Sequence, residues 1–132
     1  MITPTTAATI VVVDDHDSIR ELIEVILCRA GYHVLTAENG SEALRLARGL
    51  SHIDLLLTDL EMPGMRGDML AARFARLHPS APVLFVTSSD GPIEIPGPIE
   101  VLAKPFTVAG LRDTVRNVLR AHANFAERPQ AA

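Results

Sequence analysis

Five polar or charged residues directly follow apolar runs of the chain, and their side chains are the ones that could do chemistry. They are Asp14 and Asp15, Asp59, Thr87 and Lys104. The apolar runs have the length of strands buried on both faces. In an open parallel sheet the carboxyl ends of the strands meet at one edge, where ligands bind. The sequence therefore predicts three carboxylates, one hydroxyl and one ammonium group at a single site.

Three carboxylates at one site repel one another and lose hydration, and a bound cation would relieve both costs. Mg²⁺ suits such a site because it takes hard oxygen ligands and commonly binds one or two carboxylates together with a phosphate oxygen. Lys104 adds a compact charge that can pair with a phosphate or, before the phosphate arrives, with Asp59. Thr87 adds a hydroxyl donor. This set favours phosphoryl transfer, in which positioning and charge neutralisation do most of the catalysis.

Asp59 is the best placed phosphoryl acceptor among these residues. It directly follows an apolar strand and precedes the turn-rich residues 62–67, which can wrap around a ligand. A carboxylate can act as a covalent acceptor and form an aspartyl phosphate. We therefore predict phosphorylation of Asp59.

The elements that must position these side chains alternate between strands and helices. Strands are predicted at residues 9–13, 33–36, 53–58, 83–86 and 99–103. Helices are predicted from the capping-box pair Ser18 and Glu21 to Gly31, and at residues 41–48, 68–77 and 108–125. Residues 88–98 carry three prolines and two glycines, which disfavour a regular helix. The alternation predicts an α/β fold with a parallel sheet covered by helices on both faces.

Length and composition limit the class of protein. The 132 residues fit a single domain with a core at about residues 8–125 and frayed ends at 1–8 and 127–132. A net charge of -4 without a basic run disfavours direct binding to nucleic acid. The start of the chain lacks a signal-peptide pattern and no apolar run is long enough to span a membrane, so we expect a cytoplasmic protein without membrane contact.

The single cysteine and the histidines offer little chemistry by their spacing. Cys28 falls within an apolar helical pattern and is predicted to be a buried or half-buried, inert thiol. The five histidines show no metal-ligand spacing, which disfavours a zinc site. His16 alone lies close to the acidic pair.

Four segments together resemble the receiver domain of two-component response regulators. They are Val11-Val12-Val13-Asp14-Asp15, Asp59-Leu60-Glu61-Met62-Pro63-Gly64-Met65-Arg66-Gly67, Thr87-Ser88 and Lys104-Pro105-Phe106. The resemblance covers about residues 8–125. It implies a doubly wound, flavodoxin-like sheet of five parallel strands in the order 2-1-3-4-5, with a fourth helix that is short or absent.

The resemblance also implies a metal site and a reaction. Asp15 and Asp59 would bind Mg²⁺ directly, Asp14 would bind it through water, and the backbone carbonyl of Glu61 would complete the protein's share. Asp59 would attack a phosphohistidine of a sensor histidine kinase or of a histidine phosphotransfer protein.

By the same resemblance, Lys104 would bind the phosphoryl oxygens and precede a cis peptide bond to Pro105, while Thr87 would turn inward to the phosphate. The chain would then be a phosphoacceptor signalling protein and not an enzyme, catalysing only its own phosphorylation and dephosphorylation. We expect a monomer or weak dimer that relays phosphate or alters binding to a downstream protein partner.

Two departures from the family bear on how phosphorylation is reported. Many receivers place an aromatic residue three positions before the lysine, where this chain has Val101, whose stiff, short side chain cannot make the same movement. The proline-rich residues 88–98 also replace most of the fourth helix that many receivers have. We hypothesise that these residues change order when Thr87 engages the phosphoryl group.

Two other functions stay open at this stage. A pseudo-receiver would bind partners without phosphorylation, which the intact acidic pair, acceptor, threonine and lysine disfavour. A small hydrolase of the aspartyl-phosphate type would use an acidic residue two positions after its acceptor, where this chain has Glu61. The absence of a cap insertion disfavours that reading.

Overall fold

A computed structural model describes residues 7–88, 93 and 99–126, with the backbone alone for 123–126. Its strands are β1 (Thr9–Val13), β2 (His33–Ala37), β3 (Leu55–Asp59), β4 (Val83–Thr87) and β5 (Glu100–Ala103). Its helices are α1 (Asp17–Arg29), α2 (Gly40–Gly49), α3 (Gly67–Leu77) and α4 (Val108–Ala126). Each predicted element is present, with bounds that differ by at most two residues.

The five strands form one parallel sheet in the order β2-β1-β3-β4-β5, as the resemblance implied. The chain reverses its direction of winding between β1 and β3, where Val13 pairs with Thr58. In open α/β sheets the crevice at this reversal is the usual ligand site. The topology therefore places the ends of β1 and β3 side by side at that crevice.

The core consists of two layers, one on each face of the sheet. Successive residues of β1 point to opposite faces, so that Ile10 and Val12 pack towards α1 and α4, whereas Val11 and Val13 pack towards α2 and α3. All four side chains are buried. Strands that are apolar on both faces are typical of a parallel sheet covered by helices.

The start of α1 differs from the prediction. Its N-cap is His16 and not Ser18, and no side chain caps the helix from that position. The carboxylate Oδ1 of Asp14 instead accepts a hydrogen bond of 2.9 Å from the backbone N–H of His16. The predicted capping box of Ser18 and Glu21 is therefore wrong, because an acidic residue of the site already holds the entry to the helix.

The end of α1 agrees with the sequence, but its cysteine does not. Gly31 has a φ of 99°, which a residue with a side chain rarely adopts, and it ends the helix as predicted. Cys28 is exposed and not buried or half-buried, because the helix turns Leu27 and not Cys28 towards the sheet.

Two predictions fall on the parts of the chain that the structure leaves out. Residues 89–92 and 94–98, where we predict no regular helix, lie outside the described residues. So do residues 1–6 and 127–132, which belong to the predicted frayed ends.

Candidate functional site

The carboxyl edge of the sheet gathers the side chains that the sequence singled out. Asp14 and Asp15 follow β1, Asp59 ends β3, Thr87 ends β4, and Lys104 follows β5. One side-chain ligand atom each from Asp14, Asp15, Asp59 and His16 lies within 4.8 Å of the others. Because the strands are parallel and in register, residues far apart in sequence meet in one acidic pocket.

Lys104 is shared by two of the carboxylates. Its Nζ donates to Asp14 Oδ2 at 3.1 Å and lies 3.5 Å from Asp59 Oδ2. The side chains of Asp14 and Asp59 are 2% and 7% exposed, and that of Lys104 is 16% exposed. The lysine therefore pairs with Asp59, as predicted, but its shorter contact is with Asp14. One ammonium group cannot neutralise two buried carboxylates, so the pocket keeps an excess of negative charge.

The surroundings of Asp59 disfavour the charged form of its carboxylate. Burial raises its pKa above the ordinary range, and the neighbouring charge of Asp14 raises it further. The charge of Lys104 and a backbone N–H from Glu61, 3.4 Å from Asp59 Oδ1, act in the opposite direction but do not cancel the effect of burial. An ionised Asp59 is consequently poorly solvated and gains from any cation or electrophile that reaches it.

Asp14 is held by the first turn of α1. Arg20 donates from one guanidinium nitrogen to the backbone carbonyl of Asp14 at 2.9 Å, and from another to Asp17 Oδ1 at 2.6 Å. The hydrogen bond that Arg20 donates to Asp17 is the main cause of the raised pKa of Arg20, which keeps the group charged. The sequence analysis missed Arg20, although an arginine six residues after an acidic strand end, on the inner side of a helix, was a usable signal.

Asp15 supplies the oxygen that most clearly fits a metal ion. Its Oδ1 is shielded from solvent and accepts no hydrogen bond from the residues that the structure describes. A shielded carboxylate oxygen without a hydrogen-bond donor has lost its hydration, which costs free energy. A bound cation would compensate for that loss. The hard oxygens of Asp14, Asp15 and Asp59 match the ligand preference of Mg²⁺.

The loop after Asp59 is fixed by packing on both of its sides. Met62 is buried in the core layer that contains α2 and α3, and Gly64 adopts a φ of 81°. The backbone of Gly67 lies directly against the carbonyl of Asp59, where a Cβ would collide, and its N–H donates to the carbonyl of Leu60 at 2.8 Å. The side chain of Glu61 is exposed.

Thr87 and Lys104 come from neighbouring strands that share a backbone contact. Thr87 is buried, and its carbonyl accepts a hydrogen bond of 3.0 Å from the N–H of Lys104. The peptide bond between Lys104 and Pro105 is cis, as the resemblance implied. Val101 lies on β5 with 46% of its surface exposed. Most of residues 88–98, where we hypothesise a change of order, lie outside the described part of the chain.

Among the described residues the acidic pocket is the one group of histidine, cysteine and carboxylate side chains close enough to hold a metal ion. His16 belongs to this group, although its spacing in the sequence suggested no ligand role. Its position directly after two acidic residues was the available signal. No described helix combines the length and the apolar character needed to cross a membrane.

Comparison with known proteins identifies relatives over most of the chain. Residues 10–116 match the model of the response regulator receiver domain. The chain is 32% identical over 129 residues to the uncharacterised transcriptional regulatory protein YrkP of Bacillus subtilis, covering 94% of this chain and 54% of that protein. It is 37% identical over 124 residues to the DNA-binding transcriptional regulator NtrC of Escherichia coli, covering 90% of this chain and 26% of that protein. The chain thus spans at most about half the length of these two relatives.

A solved structure extends the likeness to three dimensions. The chemotaxis protein CheY4 of Vibrio cholerae aligns with a TM-score of 0.75 at 32% identity, covering 85% of this chain and 98% of that one. The two structures therefore share their fold over most of this chain.

Proposed function

The chain belongs to the response regulator receiver domain family, and we propose that its Asp59 accepts a phosphoryl group in a metal-dependent reaction. The observation that carries this proposal is the position of Asp59, a buried carboxylate with a raised pKa, 3.5 Å from Lys104 and next to the acidic pair. This arrangement gives a nucleophile whose own charge is poorly compensated in the absence of a ligand.

In the proposed reaction a carboxylate oxygen of Asp59 attacks the phosphorus atom of a phosphohistidine. A bond forms between this oxygen and phosphorus, and the bond between phosphorus and the histidine nitrogen breaks. The leaving imidazole keeps the bonding electron pair and takes up a proton, and Asp59 becomes an acyl phosphate. Asp59 has to be ionised for this attack, so the cationic groups around it also set the fraction of competent molecules.

The residues around Asp59 have separate tasks. Asp14, Asp15 and Asp59, with the backbone carbonyl of Glu61, would hold Mg²⁺, which supplies charge neutralisation at the equatorial phosphoryl oxygens when it is bound. Asp14 is already fixed by the His16 N–H and by Lys104. We assign Asp15 and Asp59 as the direct ligands and Asp14 as a ligand through water.

Lys104 is the group that would change partners during the reaction. In the structure its Nζ contacts Asp14 and Asp59. Once Asp59 carries a phosphoryl group, Lys104 would donate to a phosphoryl oxygen, and the hydroxyl of Thr87 would donate to another. The backbone hydrogen bond between Lys104 and Thr87 links these two residues, so both would respond to the same phosphate.

We further propose that the phosphohistidine comes from a sensor histidine kinase or a histidine phosphotransfer protein, and that the acyl phosphate changes binding to a downstream protein or is passed on. The same pocket would catalyse hydrolysis of the acyl phosphate by placing a water molecule in line with the phosphorus. The chain would work in this way as a switch with two covalent states.

Acetyl phosphate with Mg²⁺ tests the acceptor chemistry without a kinase. We expect the intact mass of the wild-type chain to rise by one phosphoryl group, and Asp59→Asn to show no adduct. Asp54→Asn is the matched control, because Asp54 is likewise an aspartate paired with a basic side chain, that of His52, but lies at the opposite edge of the sheet. Labelling of Asp59→Asn, or an absence of labelling in the wild type at saturating acetyl phosphate and Mg²⁺, would refute the proposal.

A further inference from the structure

His16 places an imidazole nitrogen between two carboxylates of the pocket. Its Nδ1 lies 3.3 Å from Asp14 Oδ1 and 3.4 Å from Asp15 Oδ1. The ring reaches these atoms from the first position before α1, and its backbone is fixed by the hydrogen bond from its own N–H to Asp14. The imidazole therefore has a defined place at the mouth of the pocket although its side chain is 65% exposed.

These two distances are long for charge-assisted hydrogen bonds, which are commonly about 2.7–2.9 Å between nitrogen and oxygen. The Asp15 oxygen concerned accepts no hydrogen bond from any described residue, so Nδ1 does not satisfy it by donation. Two ligands of one tetrahedral ion, each about 2.0–2.1 Å from the metal, are in contrast separated by roughly 3.3–3.4 Å. Nδ1 thus makes one long hydrogen-bond contact, of 3.3 Å with Asp14 Oδ1, and its distances to both carboxylate oxygens also match those of ligands that share one ion.

We propose that His16 Nδ1 is a nitrogen ligand in the acidic pocket, and that it gives the pocket a selective affinity for late first-row transition metal ions such as Co²⁺, Ni²⁺ and Zn²⁺. Imidazole suits these ions, whereas Mg²⁺ is served by carboxylate, carbonyl and water oxygens. The proposal rests on the metal site of the proposed function and adds a ligand to it. A transition metal ion bound through His16 would compete with Mg²⁺ for Asp15 and Asp59.

The position of His16 determines which contacts of the pocket a metal ion bound to it would leave in place. It lies at the mouth of the pocket, on the side of Asp14 and Asp15, and Lys104 approaches Asp14 through the other oxygen. A metal ion held by His16 and Asp15 would therefore leave the contact between Lys104 and Asp14 in place. The ratio of the affinity for a transition metal ion to the affinity for Mg²⁺, and not either affinity alone, reports the contribution of the His16 nitrogen.

Isothermal titration calorimetry of the wild type, His16→Gln and His52→Gln with Co²⁺ and with Mg²⁺, in one buffer near neutral pH, tests this proposal. Losing a direct nitrogen ligand should lower the ratio of Co²⁺ to Mg²⁺ affinity by about 10-fold or more in His16→Gln. His52→Gln removes a second histidine that contacts a carboxylate, 2.7 Å from Asp54, and should leave the ratio unchanged.

Electron paramagnetic resonance of bound Cu²⁺ separates ligation from an indirect effect through Asp14. We expect coupling to one imidazole nitrogen in the wild type and in His52→Gln, and its loss in His16→Gln. An unchanged affinity ratio in His16→Gln would overturn the nitrogen ligand while leaving the magnesium site intact. Failure of the wild type to bind either Mg²⁺ or Co²⁺ would instead overturn the metal site of the proposed function itself.

Discussion

The two edges of the sheet each bring an aspartate and a histidine together, with opposite results. At the amino edge, Asp54 Oδ2 accepts from the backbone N–H of Thr9 at 2.8 Å, and Oδ1 contacts His52 Nε2 at 2.7 Å. At the carboxyl edge, Asp15 Oδ1 accepts no hydrogen bond from the described residues, and His16 remains at 3.4 Å. The exposures of the two aspartate side chains are similar, at 30% and 26%.

This contrast shows that residue type alone does not make a site. A carboxylate whose oxygens both have donors within the protein stabilises the fold and has little to gain from a ligand. A carboxylate that is shielded, crowded by other carboxylates and short of donors is destabilised in its charged form. A bound cation or a phosphoryl group can relieve this destabilisation. The predictions below test whether the two edges differ in this way.

Lys104→Met should have the largest effect, because it removes the main compensating charge of the carboxyl edge. Loss of one donor to the developing phosphoryl charge should slow phosphorylation about 100-fold. The two buried carboxylates would also lose their partner, which should cost about 1–3 kcal/mol of stability. Acetyl phosphate labelling rates and urea unfolding measure the two effects. An unchanged labelling rate would exclude Lys104 from the reaction.

Gly67→Ala should loosen the loop that carries the acceptor. Its Cβ would collide with the carbonyl oxygen of Asp59 and approach Leu60, and backbone atoms cannot move aside as a side chain can. We expect a loss of about 1–3 kcal/mol, as for other overpacked positions. Gly49→Ala is the matched control, since nothing lies within 4 Å of its added Cβ. Equal stabilities of the two variants in urea unfolding would contradict the close packing at Gly67.

Asp59→Asn and Asp54→Asn should change stability in opposite directions. The first removes a poorly solvated charge that Asp14 repels, which should stabilise the metal-free protein by on the order of 1 kcal/mol. The second weakens satisfied contacts to Thr9 and His52, which should cost about 1 kcal/mol. Thermal unfolding in the presence of a chelator measures both. A destabilised Asp59→Asn protein would show that Lys104 compensates Asp59 fully.

The smallest effect is a dependence of stability on pH that comes from Asp59. Its pKa is raised in the folded state, so the unfolded chain loses this proton first as the pH rises. The contribution of Asp59 to stability should therefore fall between its unfolded and its folded pKa, and stay constant above the folded one. The stability gained in Asp59→Asn should grow across this acidic window and vanish below it. A gain that is independent of pH would contradict a raised pKa.

The sequence predicted the scaffold well because the signals there are local. Apolar runs of β1, β3 and β4 and the turn at Gly31 required no knowledge of distant residues. The strand order came from the resemblance and not from the residues, since nothing in one strand's sequence names its neighbour. The predicted capping box of Ser18 failed because Asp14 holds the backbone of His16, a contact that capping preferences do not include.

The candidate site was predicted as a set of residues, but not as a network. The positions of Asp14, Asp15, Asp59, Thr87 and Lys104 follow from strand ends meeting at one edge. The shorter contact of Lys104 with Asp14, the support from Arg20 and the approach of His16 depend on side-chain directions that are set by packing. Spacing alone could not reveal the contact of Lys104 with Asp14, because these residues are 90 positions apart and meet only in the folded chain. The closeness of Arg20 and His16 to the acidic pair in sequence was a usable signal.

Chemical mapping of the phosphorylated residue tests the central claim most directly. Borohydride reduces an acyl phosphate of aspartate to homoserine, and peptide mass spectrometry then locates the converted position. After treatment with acetyl phosphate and Mg²⁺, we expect homoserine at position 59 and at no other aspartate. Homoserine at Asp14 or Asp15, or an adduct that resists borohydride, would contradict the assignment of Asp59 as the phosphoryl acceptor.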